Sequence, residues 1–431
     1  MAPSLPLFLR IYAAAVEAVS PFQTVAKALH LTSSSLNIVT PNVSSPLIPL
    51  NNSTPIYILA FGKAAGNMTA AAEKVLGDRL KQGIAILPKK DEYSAKLRCR
   101  VFEASRDNTP DERSTTATRE ALKMIDGAED DAVIVFLISG GGSALLSLPS
   151  EGITLHEKVA NIKALQARAA SIQQLNAVRR VLSKVKGGKL AERLKGRQAV
   201  SLILSDIVGD PLEFIASGPT VRPTSSLTAL SVVDSLKMRN ELESISPTII
   251  KAIQNEDVNA TNSIPVIPNI IVANNEFALN GMKHLLRGEG YQVEIVSSLV
   301  VGDALDFGRS LARLIQSKNV EELTKRANDI QKKFNSSNAS MVLSGRKIAL
   351  LFGGETTVEL PEEKGIGGRS QTTALIALIK LIEGEKPVAV HYSLVVAGTD
   401  GQDGWSGGKE PAAEGRTRTT SGTLIEVESA I

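Results

Sequence analysis

At 431 residues, 43% of them apolar, the chain is too long for one ordinary core and predicts two domains. Its 48 basic and 45 acidic side chains leave a net charge of +3, which argues against a nucleic-acid partner and keeps anionic small molecules open. One cysteine, Cys99, excludes a disulfide framework and a Cys-rich zinc site, and no uncharged apolar run reaches the ~20 residues that span a bilayer, so a soluble chain in a reducing, cytoplasmic compartment is expected.

Leu5–Val19 has helical apolar periodicity, and Arg10 and Glu17 interrupt what would otherwise resemble a signal sequence, so an amphipathic opening helix is predicted. With one basic residue it makes a poor mitochondrial leader. Val39–Pro55, rich in Pro, Asn and Ser, predicts a surface loop. Ile56–Phe61 predicts a strand, after which Gly62-Lys63-Ala64-Ala65-Gly66 opens a helix. Lys63 then stands at a strand's carboxyl end, where open α/β sheets bind ligands; its other reading is a solvated lysine on a turn. Gly83–Leu87 is a further strand, and DNTPD (107–111) a loop before a helix.

Val133–Ile138 is short and rich in β-branched residues, as a buried parallel strand would be. It runs into Gly140, Gly141, Gly142 and Ser143, where missing Cβ atoms let a ligand approach the backbone and free N–H groups open a helix. That turn suits a phosphate or carboxylate, and equally a bare strand–helix junction. No Gly-Lys-Ser/Thr closes it as a Walker loop, and Leu145 breaks both G-x-G-x-x-G and G-x-S-x-G.

Ser171–Leu194 is the longest helical pattern, with Leu175, Val178, Leu182 and Val185 on one face and a polar stripe of Asn176, Arg179, Ser183 and Lys186 beside it. Gly187-Gly188 would interrupt or cap it. The stripe is either solvated or part of an anion site. Gln198–Leu204 predicts a strand followed by Asp206, whose position suits a metal, a substrate hydroxyl or a turn cap. Polar sequence from Arg222 to Ile264 then suggests a domain break.

A second α/β unit is predicted from strand Asn269–Ala273, a helix to about Arg287 and strand Gln292–Ser297. Strands Ile348–Phe352 and Tyr392–Ala397 follow, and Glu355, Arg369, Asp400 and Asp403 all fall at the ends of elements. From Trp405 the sequence is polar and glycine-rich and reads as disordered. The four histidines show no ligand spacing.

Taken together, FGKAAGNM (61–68), LISGGGSALL (137–146), NAVRRVLSKVKGGKLA (176–191), SDIVGDPLEFIASGPT (205–220), LLFGGETTV (350–358), GGRSQ (367–371) and AGTDGQDG (397–404) resemble the class II glycerate kinases, the family with a C-terminal MOFRL domain. The resemblance implies an α/β fold of two domains: a Rossmann-like three-layer parallel sheet over 1–235 and a MOFRL-type α/β domain over 236–404, followed by a divergent tail over 405–431. It implies phosphoryl transfer from ATP, with Mg²⁺, to D-glycerate, giving 2-phosphoglycerate or 3-phosphoglycerate. By the same resemblance Lys63, Asp206 and Arg369 are the principal catalytic positions, Asp206 having metal binding as its second role. Gly140, Gly141, Gly142, Ser143 and Lys186 would hold phosphate, and Glu355 and Asp400 would flank the site. The family's Asn-Gln-Glu after GGR is replaced here by Ser370, Gln371 and Thr372, and its late Ala/Gly-rich closing segment is absent. A silent nucleotide- or anion-binding relative is therefore the alternative, with a nicotinamide-dependent hydroxy-acid oxidoreductase behind it.

Overall fold

The computed structural model describes residues 6–40, 47–90, 94–106, 109–256, 263–335, 340–345, 347–359, 367–384, 392–399, 403 and 422–427. Their contacts form two units, Ser20–Asn274 and, separately, Met1–Val19 with Asn275–Ile431.

In chain order, α1 (Leu7–Ala18) precedes α2 (Pro21–Ala28) and an antiparallel sheet of β1 (Leu29–Leu31), β2 (Ser35–Ile38) and β3 (Leu47–Pro49). β3 lies inside the stretch expected to be loop. Next come β4 (Ile56–Phe61), α3 (Ala65–Leu76), β5 (Leu80–Leu87), β6 (Arg100–Glu103), α4 (Glu112–Asp126), β7 (Val133–Ile138), α5 (Gly142–Leu145), α6 (Leu155–Ala167), α7 (Ile172–Val181), α8 (Lys189–Glu192) and β8 (Gln198–Leu204). Three helices, α9 (Ala229–Ser235), α10 (Arg239–Ile245) and α11 (Pro247–Gln254), lead to β9 (Asn269–Ala273).

Six of these strands form one parallel sheet in the order β6-β5-β4-β7-β8-β9. The chain winds outward from β4 to β6, returns to β4's other side, and winds outward again from β7 to β9. That is the doubly wound order, and its direction reverses between β4 and β7. The central strands are buried on both faces, which is why they read as unbroken apolar runs. Ile58 and Ala60 pack with Val25, Ala28, Met68 and Ala72 from α2 and α3. Tyr57, Leu59 and Phe61 pack with Ala117, Ala121 and Ile125 of α4 and with Leu190 of α8. Helix, sheet and helix make the three layers expected of a Rossmann-like domain.

Two expectations change here. The helix anticipated over Ser171–Leu194 is two short ones, because Gly187 and Gly188 take φ of +61° and +83° and Ser183 bridges to Pro149. The polar stretch from Arg222 to Ile264 is mostly helical: Val232, Val233, Leu242, Ile249 and Ile253 turn inward to meet Leu165, Leu175 and Val178. Residues 236–274, assigned from sequence to the second domain, thus complete the first unit.

The other unit joins α1 to α12 (Asn275–Gly288), and Gly281 lets them meet, since a Cβ there would lie 2.6 Å from that of Ala18. β10 (Gln292–Asp303), α13 (Ala304–Ile315), α14 (Val320–Phe334) and β11 (Ile348–Thr357) follow, with β10 and β11 parallel. α15 (Arg369–Ile382) packs on α13 at Gly308, and β12 (Tyr392–Ala397) pairs antiparallel with β13 (Gly422–Val427). β13 corrects the expectation of a disordered tail for its own six residues, in which Leu424, Ile425 and Val427 give the strand-forming composition the polar run before it lacks. Residues 405–421 and 428–431 lie outside the described residues.

Candidate active site

Lys63 follows β4 and the triple-glycine turn follows β7, so both stand at the carboxyl ends of the two strands that flank the reversal point. The backbone ties them together. Lys63 N–H donates to the Gly140 carbonyl at 2.8 Å, and Ala64 N–H donates to Ser139 Oγ at 3.0 Å. Gly62 has φ +130°, and a Cβ on it would lie 2.1 Å from Ser139 Oγ. Gly141 takes φ +78° as the residue before α5, and the Lys63 side chain lies over it, its Cγ 3.3 Å from where a Cβ would be. Asp206, after β8, packs on the adjacent residue: a Cβ on Gly140 would meet its Oδ2 at 1.9 Å. Lys63 and Asp206, 143 positions apart in sequence, therefore share one glycine turn, and both are exposed.

The far side of the turn is locked by the end of the 205–220 motif, to which the sequence assigned no site residue beyond Asp206. Ala216, Ser217 and Gly218 have φ of +53°, +65° and +57°, a strained run for the first two. Ala216 leaves no room for a Cβ on Gly142, Ser217 Oγ lies 2.8 Å from Ser143 Oγ, and the Ser217 and Gly218 carbonyls accept from the N–H groups of Gly187 and Gly188. Beyond that glycine pair, the buried Lys186 donates from Nζ to the Ser143 carbonyl at 2.6 Å. Burial, then the nearby Lys158 and Arg179, hold the Lys186 ammonium well below its usual pKa. Lys158 was also missed, although its spacing from Asn161 and Leu165 marks a lysine on an inward face of α6. Thus Lys63, Gly140–Ser143, Lys186 and Asp206 come together.

In the other unit, Arg369 opens α15 and its Nη1 lies 2.8 Å from Oε1 of Glu355 on β11. The helix terminus behind Arg369 is already filled: Asp403, nearly buried, accepts from the N–H groups of Ser370 and Gln371 at 2.8 Å each. Asp403 is therefore a cap. Asp400 lies outside the described residues. Among the described residues no cluster of three or more His, Cys, Asp or Glu could hold a metal ion, and no helix is long and apolar enough to cross a membrane.

A doubly wound sheet whose reversal point carries a glycine turn, a lysine and an aspartate defines an α/β protein built to handle phosphate or carboxylate ligands. Residues 7–253 match the family described as a domain of unknown function (DUF4147) and residues 348–421 match the MOFRL family. A glycerate kinase of Bos taurus is 36% identical over 380 residues, covering 81% of this chain and 72% of its own, and a glycerate 2-kinase of Pyrococcus horikoshii is 32% identical over 401 residues, covering 92% and 82%. A crystal structure of a glycerate kinase from Thermotoga maritima superposes with a TM-score of 0.70 at 30% identity, covering 92% of this chain and 84% of that one. The chain belongs to the glycerate 2-kinase family that carries a MOFRL domain.

Proposed function

We propose that the chain transfers the γ-phosphoryl group of ATP to D-glycerate, releasing ADP. The observation that carries this is the convergence of Lys63 and Asp206 on the Gly140–Ser143 turn at the sheet's reversal point. Gly142 N–H donates to the Ser139 carbonyl and Ala144 N–H to that of Gly141, so Gly140, Gly141 and Ser143 are the turn residues whose N–H groups would meet an anion, and phosphoryl transfer asks chiefly for positioning and charge stabilisation. Lys63 neutralises charge on the transferring phosphoryl. Asp206 accepts the proton of the attacking hydroxyl as the new P–O bond forms and the bond to the bridging oxygen of ADP breaks. The name of the Pyrococcus horikoshii relative supports the 2-hydroxyl, hence 2-phosphoglycerate.

In the alternative role of Asp206, Mg²⁺ fits these residues: it is commonly held by one or two carboxylates together with substrate phosphates, and Asp206 presents an exposed carboxylate against the glycine turn. Bound there, it would offset phosphate charge. For Arg369 the family resemblance supports a role in holding the glycerate carboxylate, with Glu355 as its resting counter-ion. The buried Cys99 and the absence of a disulfide partner support a reducing, cytoplasmic compartment.

Purified protein given D-glycerate and Mg-ATP should release ADP, and phosphorus NMR of the product should show a single 2-phospho ester. Absence of ADP release with a folded protein overturns the proposal. Arg369→Lys should restore little of what Arg369→Ala loses, because an ammonium lacks the two-pronged fit to a carboxylate.

A further inference from the structure

We infer that the buried Lys158 and Lys186 and the half-buried Arg179 form a phosphate site behind the Gly140–Ser143 turn, with the amide of Asn161 as its neutral member. This deepens the kinase reading and rests on it only for the identity of the molecule carrying the phosphate.

Lys158 and Asn161 lie three residues apart on α6, where such pairs share a face, and are only 2% and 0% exposed. Asn176 and Arg179 repeat the spacing on α7. Lys186 follows the turn beyond α7 and is 3% exposed. Both ammonium groups reach one short segment: Lys158 Nζ donates to Ser147 Oγ at 3.0 Å and Lys186 Nζ to the Ser143 carbonyl at 2.6 Å. The three cations sense one another. Burial, then Arg179 and Lys189, bring Lys158 down to about 7; Lys186 is lowered by burial, Lys158 and Arg179; burial lowers Arg179.

No carboxylate answers them among the described residues. The contrast with the next residue is direct: Arg180 pairs with Glu256 at 3.0 Å, both being nearly buried, whereas Arg179 reaches only Asn176 Oδ1 at 3.4 Å. Lys189, the neighbouring cation, spends its donors on the Arg180 and Ser183 carbonyls. Beside them Asn161 keeps both of its side-chain polar atoms, and Asn176 its Nδ2, buried without a hydrogen-bond partner. Buried polar groups are ordinarily satisfied, and buried like charges are unfavourable without a counter-charge. A phosphate answers both needs at once, with several acceptor oxygens and up to two negative charges that favour protonation of the lowered lysines beside Arg179; a carboxylate would bring only one charge.

Calorimetry at pH 8, where phosphate esters are fully ionised, tests this with ADP, 2-phosphoglycerate, inorganic phosphate and adenosine, each in two buffers of different ionisation enthalpy. An anion in the pocket should recharge Lys158, so at least one phosphate-bearing ligand should bind with net proton uptake and adenosine with none. Lys158→Met and Arg179→Met should each weaken that ligand about tenfold or more, and Lys158→Met should lower the uptake, Lys186 remaining as the other lowered amine. Uptake with ADP alone assigns the pocket to the nucleotide, and uptake with 2-phosphoglycerate alone assigns it to the phosphorylated acceptor. Absence of uptake in the parent protein, or unchanged affinity in both folded variants, overturns the inference; if Lys158→Met fails to fold, the parent's proton count decides. ADP release from D-glycerate and ATP is scored separately, so proton-linked binding without turnover sinks the kinase reading and leaves the pocket standing.

Discussion

Arg369 and the Lys158–Arg179–Lys186 group are both concentrations of positive charge, and they are balanced in opposite ways. Arg369 carries its own counter-ion in Glu355, the two side chains being 38% and 49% exposed, and Asp403 already fills the helix terminus beside it. Water screens such a pair, so it can open for a ligand at small cost. The other group has no carboxylate among the described residues, and its two buried lysines have little water to replace one. Exposure thus decides whether a basic cluster is content as it stands or is incomplete without an anion, a difference invisible in net charge.

The largest expected break comes at Lys63, which is exposed and has no ion pair among the described residues. Lys63→Ala should lower kcat about 10³-fold with a smaller change in the KM for D-glycerate, because its contact strengthens only as charge moves onto the phosphoryl group. Stopped assays beside circular dichroism check this. An unaltered kcat would move the phosphoryl contact away from β4.

Next is Gly140→Ala, whose Cβ would stand 1.9 Å from Asp206 Oδ2 and displace that carboxylate. A misplaced catalytic group predicts a loss of about 10²-fold in kcat/KM, measurable by the same assay, with thermal unfolding little changed.

The adjacent arginines sharpen the contrast. Glu256→Gln leaves Arg180 without its counter-charge and should destabilise by about 3 kcal/mol in urea titrations. Arg179→Met removes a cation that had no counter-ion and should leave the ligand-free protein unchanged or more stable. Equal losses in the two variants would erase the distinction.

A pH series reads the buried group directly. Lys158 is lowered in the folded state, so between pH 7 and about 10.4 the unfolded chain binds more protons and the ligand-free protein should gain stability as pH rises. The slope is at most about 1.4 kcal/mol per pH unit for each such proton, and Lys158→Met should lower it, leaving the contribution of Lys186. Smallest is Glu355→Gln, expected to cost under about 1 kcal/mol and to lose that effect in high salt.

Much of the site's framework is legible in the one-dimensional pattern. β4, β7, β8, β9 and β12 have the bounds that short apolar runs predict, and Lys63, Gly140–Ser143 and Asp206 follow three of those strands. Parallel strands buried on both faces must be apolar throughout, and polar residues resume where the sheet ends, so that boundary is written locally. What local pattern could not carry was which distant groups meet. The inward turn of Val232, Leu242 and Ile253 depends on α6 and α7, and the break after Val181 depends on contacts that Ser217 and Gly218 make with the Gly187–Gly188 turn.

Sequence alone therefore determined the α/β class, the ends of the central strands and the residues standing at them, because these follow from apolar runs and glycine chemistry within a few positions. Only the tertiary structure decided that Glu355 neutralises Arg369, that Asp403 is a cap, and that Lys158 and Lys186 lie buried and Arg179 half-buried with no carboxylate beside them among the described residues. The physical reason is that a charge's environment is set by burial and by partners brought in from elsewhere in the chain: Lys158 meets Arg179 from another helix, and Arg369 meets a carboxylate from another strand.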